Sequence, residues 1–321
     1  FFHNMNTQSK LILKIAIFLF YFFPKFIFTS DYAIKLEKIN DGVWVFIPSD
    51  KQKTNKQIIS NIGIIEGDMY SLVIDTGNSK SFSNKLLKEY QKLSNKPVKY
   101  LIITHRHFDH SFGIESFISD EIDIYMDANE FSLLKSEGPL IEKMIEGSSD
   151  EFESDIDFSK IINLKVNHIE SDIILDLGNR KILVKNVGRA HSQGDLIVYD
   201  YESKIYFAGD LVFVGRAAAF SDANVRVWLK KIEKVFNLPW VTMLPGHGRL
   251  IYKKEKVEDT KSWLEFIDNS IKRAIVEGDM ISEILDYTFP ETIKRLQLKN
   301  ITLRRGLKKQ LKLYKEKNYI E

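Results

Sequence analysis

After the apolar run 100–103 comes Thr104-His105-Arg106-His107-Phe108-Asp109-His110, whose last six positions hold three imidazoles and a carboxylate. Imidazole nitrogen and carboxylate oxygen are the donors expected for zinc and its transition-metal neighbours. Two residues one apart on an extended chain point the same way, so His105 and His107 can grip one ion. Asp109 and His110, past the turn, are placed to face a second. Two ions need more ligands than this stretch supplies. The fold must therefore bring donors from distant segments to the end of the strand that delivers the motif.

Such donors stand at other predicted strand ends. Gly188-Arg189-Ala190-His191-Ser192-Gln193-Gly194-Asp195 follows an apolar run over 181–187, and His191 can be the third ligand of the first ion. Ala208-Gly209-Asp210 follows 205–207, where the Asp210 carboxylate can bridge two ions through its oxygens. Pro245-Gly246-His247-Gly248 follows 240–244, and its glycines let the backbone turn sharply to bring in His247. The chain has seven histidines, and five of them occupy these positions, leaving only His3 and His168. A lone His is usually a hydrogen-bonded core or surface residue, and an isolated His-x-His is a weak signal. Five correlated positions with two aspartates are poorly explained by chance.

There is no cysteine, so disulfides and thiolate ligands are excluded and His, Asp and Glu must do any metal binding. With 46 basic against 44 acidic side chains the net charge is +2, which lacks the basic excess of a nucleic-acid partner. At 321 residues, 44% of them hydrophobic and 28% charged, the chain can bury a full core.

Residues 1–30 read as a secretory signal peptide: Lys10 and Lys14, then the apolar run 15–23, then Pro24, Lys25 and the small Thr29-Ser30, with Met5 as its start. The rival reading is a retained N-terminal membrane anchor, for which 15–23 is too short unless Lys14 and Lys25 snorkel. The expectation is therefore a periplasmic or secreted protein with no stable membrane insertion once the signal is removed. Strands are predicted over 43–47, 61–66, 69–74, 98–103, 122–126, 173–175, 181–187, 196–199, 205–207 and 240–244, with a hairpin turn at Gly67-Asp68. Helices are predicted over 79–93, 129–135, 224–236 capped by Asp222, and 257–276. The acidic segment 138–160 reads as a solvated surface loop, with a mobile flap over a site as the sharper alternative. The basic helical segment 292–319 reads as docked on the domain by Leu296, Ile301, Leu307 and Leu311, with its lysines in solvent, rather than as a membrane-surface helix.

In combination these motifs, spanning roughly 43 to 251, resemble the metallo-beta-lactamase fold superfamily of hydrolases. The resemblance implies an α/β (α+β) chain: a four-layer αβ/βα sandwich over 31–252, with the site at one edge and a C-terminal helical extension over 253–321. It implies that His105, His107 and His191 bind the first metal, that Asp109, His110 and His247 bind the second, and that Asp210 bridges. Asp75, in Asp75-Thr76-Gly77, looks like the family's structural aspartate supporting the ligand loop. Members with Cys at the bridging position are excluded, and the oxygen-reducing di-iron members carry Glu where this chain has His107. Asp210 aligns the chain with the thioesterase, lactonase and tRNA-processing branches, and export argues against the last. Residues 209–213, Gly215-Arg216, Phe220 and Asp222-Ala223-Asn224 are similar to the periplasmic zinc hydrolases associated with quinoprotein-relay and sulfur-oxidation gene clusters.

The expected function is an exported hydrolase with two Zn2+ per chain. Its metal-bridging water, lowered in pKa towards about 7, would attack an ester, thioester, lactone or amide-type bond of a small molecule. Asp109 is the expected catalytic residue, orienting the hydroxide or carrying a proton. Arg189 and Arg216, and with them Arg226, are candidates to hold a substrate carboxylate or phosphate, against the plain alternative of surface ion pairing. The competing functions are a non-catalytic periplasmic zinc-binding protein, whose sites are usually closed by a full ligand set, and an iron-dependent oxidoreductase on the same fold. The substrate and the oligomeric state do not follow from the sequence.

Overall fold

The computed structural model describes residues 34–48, 60–146, 155–252, 257–278, 281–285 and 287–316. The expected signal segment lies outside them, as does part of the acidic stretch. Among the described residues, no helix is long and apolar enough to cross a membrane.

The first sheet runs β1 (Glu37–Asn40), β2 (Val43–Phe46), β3 (Ile62–Glu66), β4 (Ser71–Ile74), β5 (Val98–Ile102), β6 (Asp123–Met126) and β7 (Asn167–His168), its spatial order following the sequence. β1 to β4 form an antiparallel meander, in which β3 and β4 are the hairpin turned at 67–70. β4 to β7 pair in parallel. Parallel neighbours need crossovers, and α1 (Lys80–Gln91) joins β4 to β5. Ser79 caps α1, its hydroxyl accepting from the Phe82 amide. After β5 comes α2 (Phe108–Ser111), and α3 (Ala128–Glu146) and α4 (Phe158–Ile162) separate β6 from β7.

The second sheet is β8 (Ile173–Asp176), β9 (Lys181–Gly188), β10 (Asp195–Asp200), β11 (Ile205–Phe207) and β12 (Thr242–Leu244), in the order β12-β11-β10-β9-β8. It is antiparallel except where β12 joins β11. Between those two strands lies α5 (Val225–Ile232), and beyond β12 follow α6 (Glu258–Glu277), α7 (Ile281–Leu285), α8 (Glu291–Lys294) and α9 (Lys299–Glu316).

Strand periodicity explains how these parts stack. In β2, Val43 and Val45 point into the core shared with the second sheet. Trp44 and Phe46 point the other way and meet Tyr90 and Phe82 of α1, with ring centroids 5.5 and 5.2 Å apart. β10 does the same from the opposite side: Leu196 and Val198 enter the shared core, while Ile197 and Tyr199 enter the layer of Trp228, Trp263 and Ile267 from α5 and α6. Strands covered on both faces read as continuous apolar runs, which is why 43–46 and 196–199 carry no polar alternation. The result is the expected αβ/βα sandwich.

The C-terminal segment is docked as expected, with Ile293, Leu296, Leu303, Leu307 and Tyr314 buried, although Ile301 and Leu311 are only half-buried. It is two helices rather than one, because Leu298 adopts φ 58 and breaks the segment between α8 and α9.

Two further expectations are corrected. The helix predicted over 129–135 continues to Glu146 and carries Pro139 inside it, so the first part of the acidic stretch is helical rather than loop. Gly138 lies against the Phe158 ring, and this packing fixes a turn that Gly-Pro chemistry alone would have ended. The helix after Asp222 is shorter than predicted and is capped by Asn224, whose Oδ1 accepts from the Val227 amide. Asp222 is engaged elsewhere.

A buried ion pair ties the sheets together at the end away from the metal ligands. Arg180 donates from Nη1 to the carbonyls of Asp41 and Glu66, 3.0 and 2.9 Å away, in the first sheet's turns. Its Nε and Nη2 grip the two Asp200 oxygens at the end of β10. Removing one partner strands a buried charge, so Arg180→Ala is expected to cost about 3–5 kcal/mol in denaturant unfolding. A loss below about 1 kcal/mol would show that the pair is not holding the sheets.

Candidate metal centre

The candidate ligands gather where the ends of the two sheets meet. The chain leaves β5 through Ile103 and Thr104, and the Thr104 carbonyl accepts from the Leu196 amide of β10 at 2.9 Å. From the first sheet, Asn61 Nδ2 donates to the Pro245 and Gly248 carbonyls at 2.8 and 2.7 Å, clamping the loop that carries His247. Gly246 must lack a side chain here, since a Cβ would fall 2.0 Å from Asp210 Oδ1.

Two groups of donors result: His105, His107, His191 and Asp210, and beside them Asp109, His110 and His247, within each of which the donor atoms lie within 4.8 Å of one another. In the first group, His107 Nδ1 is 3.0 Å from His105 Nε2 and 3.1 Å from His191 Nε2. Asp210 Oδ2 is 3.7 and 3.3 Å from those same two Nε2 atoms. In the second group, His247 Nε2 is 3.1 Å from Asp109 Oδ2, and His110 Nε2 is 3.9 Å from it. Asp210 turns its other oxygen, Oδ1, to this group, at 3.2 Å from His110 Nε2 and 3.4 Å from His247 Nε2. Tetrahedral bonds of about 2.0 Å place neighbouring donors about 3.3 Å apart, so the spacing fits an ion in each group. His110 Nε2 and Asp210 Oδ1 are buried without hydrogen-bond partners, as atoms reserved for a cation would be.

The outward nitrogens explain why the inward ones are free. Thr104 gives its hydroxyl proton to Asp75 Oδ2 and accepts from His105 Nδ1, each contact at 3.0 Å. His110 Nδ1 donates to the same Asp75 oxygen at 2.8 Å, His191 Nδ1 to the Ala219 carbonyl at 3.1 Å, and His107 Nε2 to Asp222 Oδ2 at 3.1 Å. Each bond fixes a tautomer and aims the opposite nitrogen's lone pair inward. Asp75 does this from a left-handed backbone, φ 65, a conformation that costs a non-glycine residue of the order of 1 kcal/mol and gathers at functional sites.

Burial pushes the His105 imidazole well below its ordinary pKa and that of His191 down to about 3, so both offer neutral rings. Burial works against the Asp210 carboxylate, but His247 and His110 hold it well below the ordinary range. Asp109 follows the same logic, with burial opposed by His110 and His247. Burial works against a proton on His110 as well, but the Asp210, Asp75 and Asp109 carboxylates raise that imidazole well above its ordinary pKa, so a cation there would take a proton's place. Neutral imidazoles and ionised carboxylates are the forms that bind cations. The His107 side chain remains 20% exposed, which leaves the first group open to small molecules from that side.

The arginines divide. Arg216 is half-buried, its guanidinium 5.6 Å from the Phe213 ring centroid and its Nε without a hydrogen-bond partner. Phe213 in turn stacks on His247, with ring centroids 5.3 Å apart, so Arg216 stands next to the second group. Arg189 is exposed at the end of β9. Arg226 pairs with Asp268 at 3.8 Å, which matches the plain ion-pair reading. His168 lies in β7 near Phe131, away from the ligands.

Sequence reasoning missed the buried supports of the motif loop. Arg106 is enclosed by Glu130, Glu137 and Asp222, and Glu130 also accepts from the Arg106 amide at 2.8 Å and the Gln193 amide at 2.7 Å. Asp222 stands beside a helix start and reads in the sequence as its cap and as part of the resemblance at 222–224, neither of which points to these partners. The signal that could have flagged Arg106 is its place between two ligands, where a buried cation needs acidic partners.

The sequence model of the metallo-beta-lactamase superfamily matches residues 55–247. A linear primary-alkylsulfatase of a Pseudomonas species is 21% identical over 259 residues, covering 70% of this chain, which spans about half (48%) of that relative's length. An acyl-coenzyme A thioesterase of Bos taurus is 25% identical over 203 residues, covering 56% of this chain and 66% of the relative. Among solved structures, a metallo-beta-lactamase from Pontibacter korlensis superposes with a TM-score of 0.56 at 20% identity, over 72% of this chain and 99% of its own, a likeness of fold. These relatives are hydrolases. With the family's sequence model covering more than half of its length, this chain belongs to the metallo-beta-lactamase superfamily.

Proposed function

We propose that the protein is an exported dinuclear zinc hydrolase that cleaves an ester, thioester, lactone or amide-type bond in a small molecule. The observation that carries this reading is the Asp210 carboxylate, whose two oxygens face two separate ligand groups. A closed set of protein ligands around one ion would store metal, whereas a carboxylate shared by two groups would set two ions side by side, which suits chemistry. Two zinc ions held there would supply Lewis acidity and make hydroxide available at neutral pH. His105, His107 and His191 would hold one ion, Asp109, His110 and His247 the other.

The chain's own residues supply the rest. Asp109 would hold its ion through Oδ2, the oxygen nearest His247, and we assign its Oδ1 to orient the attacking water and accept its proton. Asp75 keeps His110, and through Thr104 also His105, in the tautomer that binds. Arg216 is placed to attract an anionic group on the substrate; Arg189, exposed at a strand end, is the outer candidate for the same task. Export rests on the charged and apolar pattern of residues 1–30.

Purified zinc-loaded protein should hydrolyse at least one substrate in a panel of acyl thioesters, lactones, aryl esters, alkyl sulfates and a chromogenic beta-lactam. His105→Ala with His107→Ala should remove zinc from the first group and lower the rate by at least about a hundredfold. Full activity in metal-free protein would end the proposal. Asp75→Ala should weaken zinc binding by about 10–100-fold while leaving the ligands in place, measured by competition with a chromophoric chelator. Unchanged affinity would mean that Asp75 shapes the loop without orienting the imidazoles.

A further inference from the structure

The loop 216–224 decides how two of the proposed ligands point. Ala219 receives His191 Nδ1 and Asp222 receives His107 Nε2, so both outward nitrogens rest on one segment. Apart from one bridge at Arg216, that loop belongs to no helix or strand until α5 begins at Val225. Its backbone is held from outside, largely by the C-terminal segment. Residues 215–217 pair with Gln297, through Ala217 N to the Gln297 carbonyl at 2.9 Å and Gln297 N to the Gly215 carbonyl at 3.0 Å. The Phe220 ring sits against Gly306 of α9.

The decisive contact is Gln310. Its side chain is 0% exposed, and its Nε2 donates to two loop carbonyls, Phe220 at 2.9 Å and Ala223 at 2.8 Å. These carbonyls flank Asp222. The preceding residue, exposed on the helix surface, is Lys309, whose Nζ lies 2.5 Å from Asp222 Oδ1, the oxygen not used by His107. The superfamily's sequence model ends at residue 247, so none of these contacts from α9 belongs to the part that it matches.

We propose that α9 is part of the metal site, with Lys309 and Gln310 as positioning residues that fix the Asp222 loop and thereby aim His107 and His191 at the first ion. This rests on the two-ion reading above. Partners one shell out from a metal typically set its affinity by 10–100-fold, and Gln310 acts one step further still.

The test is a two-step zinc titration by chelator competition, paired with the visible absorption of the Co2+-substituted protein. Circular dichroism reports that each variant is folded. Gln310→Leu removes both amide donations while keeping similar bulk, and should weaken the tighter or looser of the two steps, whichever His107→Ala abolishes, by about tenfold. Lys309→Met, on an exposed side chain that leaves folding intact, should weaken the same step by about threefold, with Lys309→Arg restoring it. The Co2+ band from that group should shift in both variants and the other group's band should not. Affinities for both steps within experimental error of wild type would overturn the proposal, as would equal weakening of both, which is general loosening. Should Gln310→Leu fail to fold, the Lys309 pair decides. Wild-type protein that binds no zinc would sink the two-ion reading itself, an outcome distinct from wild-type binding with unresponsive variants.

Discussion

Everything about this site depends on placing the Asp210 carboxylate, buried, between five imidazoles and a second carboxylate. Burying an anion is costly unless positive charge meets it at close range. The chain sets two rings held neutral by burial, His105 and His191, on one side of it and His110, raised by the surrounding carboxylates, on the other, and leaves the inward atoms His110 Nε2 and Asp210 Oδ1 without hydrogen bonds. A pair of cations would resolve that arrangement, because each oxygen of Asp210 would then complete a separate ligand group. Gly246 is part of the same constraint, since any side chain there would displace the carboxylate.

The sandwich serves this requirement through its edge. β5 delivers the histidine-rich loop, β9 and β10 frame His191, β11 leads to Asp210 and β12 to His247. Each strand is locked by core residues on both faces, so the ligands that follow are carried on rigid supports. Asn61 and the Thr104 carbonyl tie loops of one sheet to the other at that edge. The ligand set therefore cannot form until both sheets are docked, and ordering it costs the chain little once they are.

The candidate ligand positions and most strands were legible in the sequence for physical reasons. A His or Asp just beyond an apolar run is exposed at a strand end, and strands covered on both faces advertise themselves by lacking alternation, as 43–46 does. What escaped was set by contacts between segments far apart. Helix α3 runs through Gly138-Pro139 because Phe158 packs on it, and no local rule announces that partner. Asp222 has the composition and place of a helix cap, and only the folded chain shows His107, Arg106 and Lys309 converging on it. The break between α8 and α9 rests on the left-handed Leu298, a residue that propensity would keep helical.

The proposed bridging role of Asp210 is most directly tested by X-ray absorption at the zinc edge of fully loaded protein. The account predicts nitrogen and oxygen donors only, no sulfur, and a zinc–zinc scattering path at roughly 3.5–4 Å, which Asp210→Ala would lengthen or abolish. A spectrum of isolated single ions with no metal–metal path in the wild-type protein would contradict it.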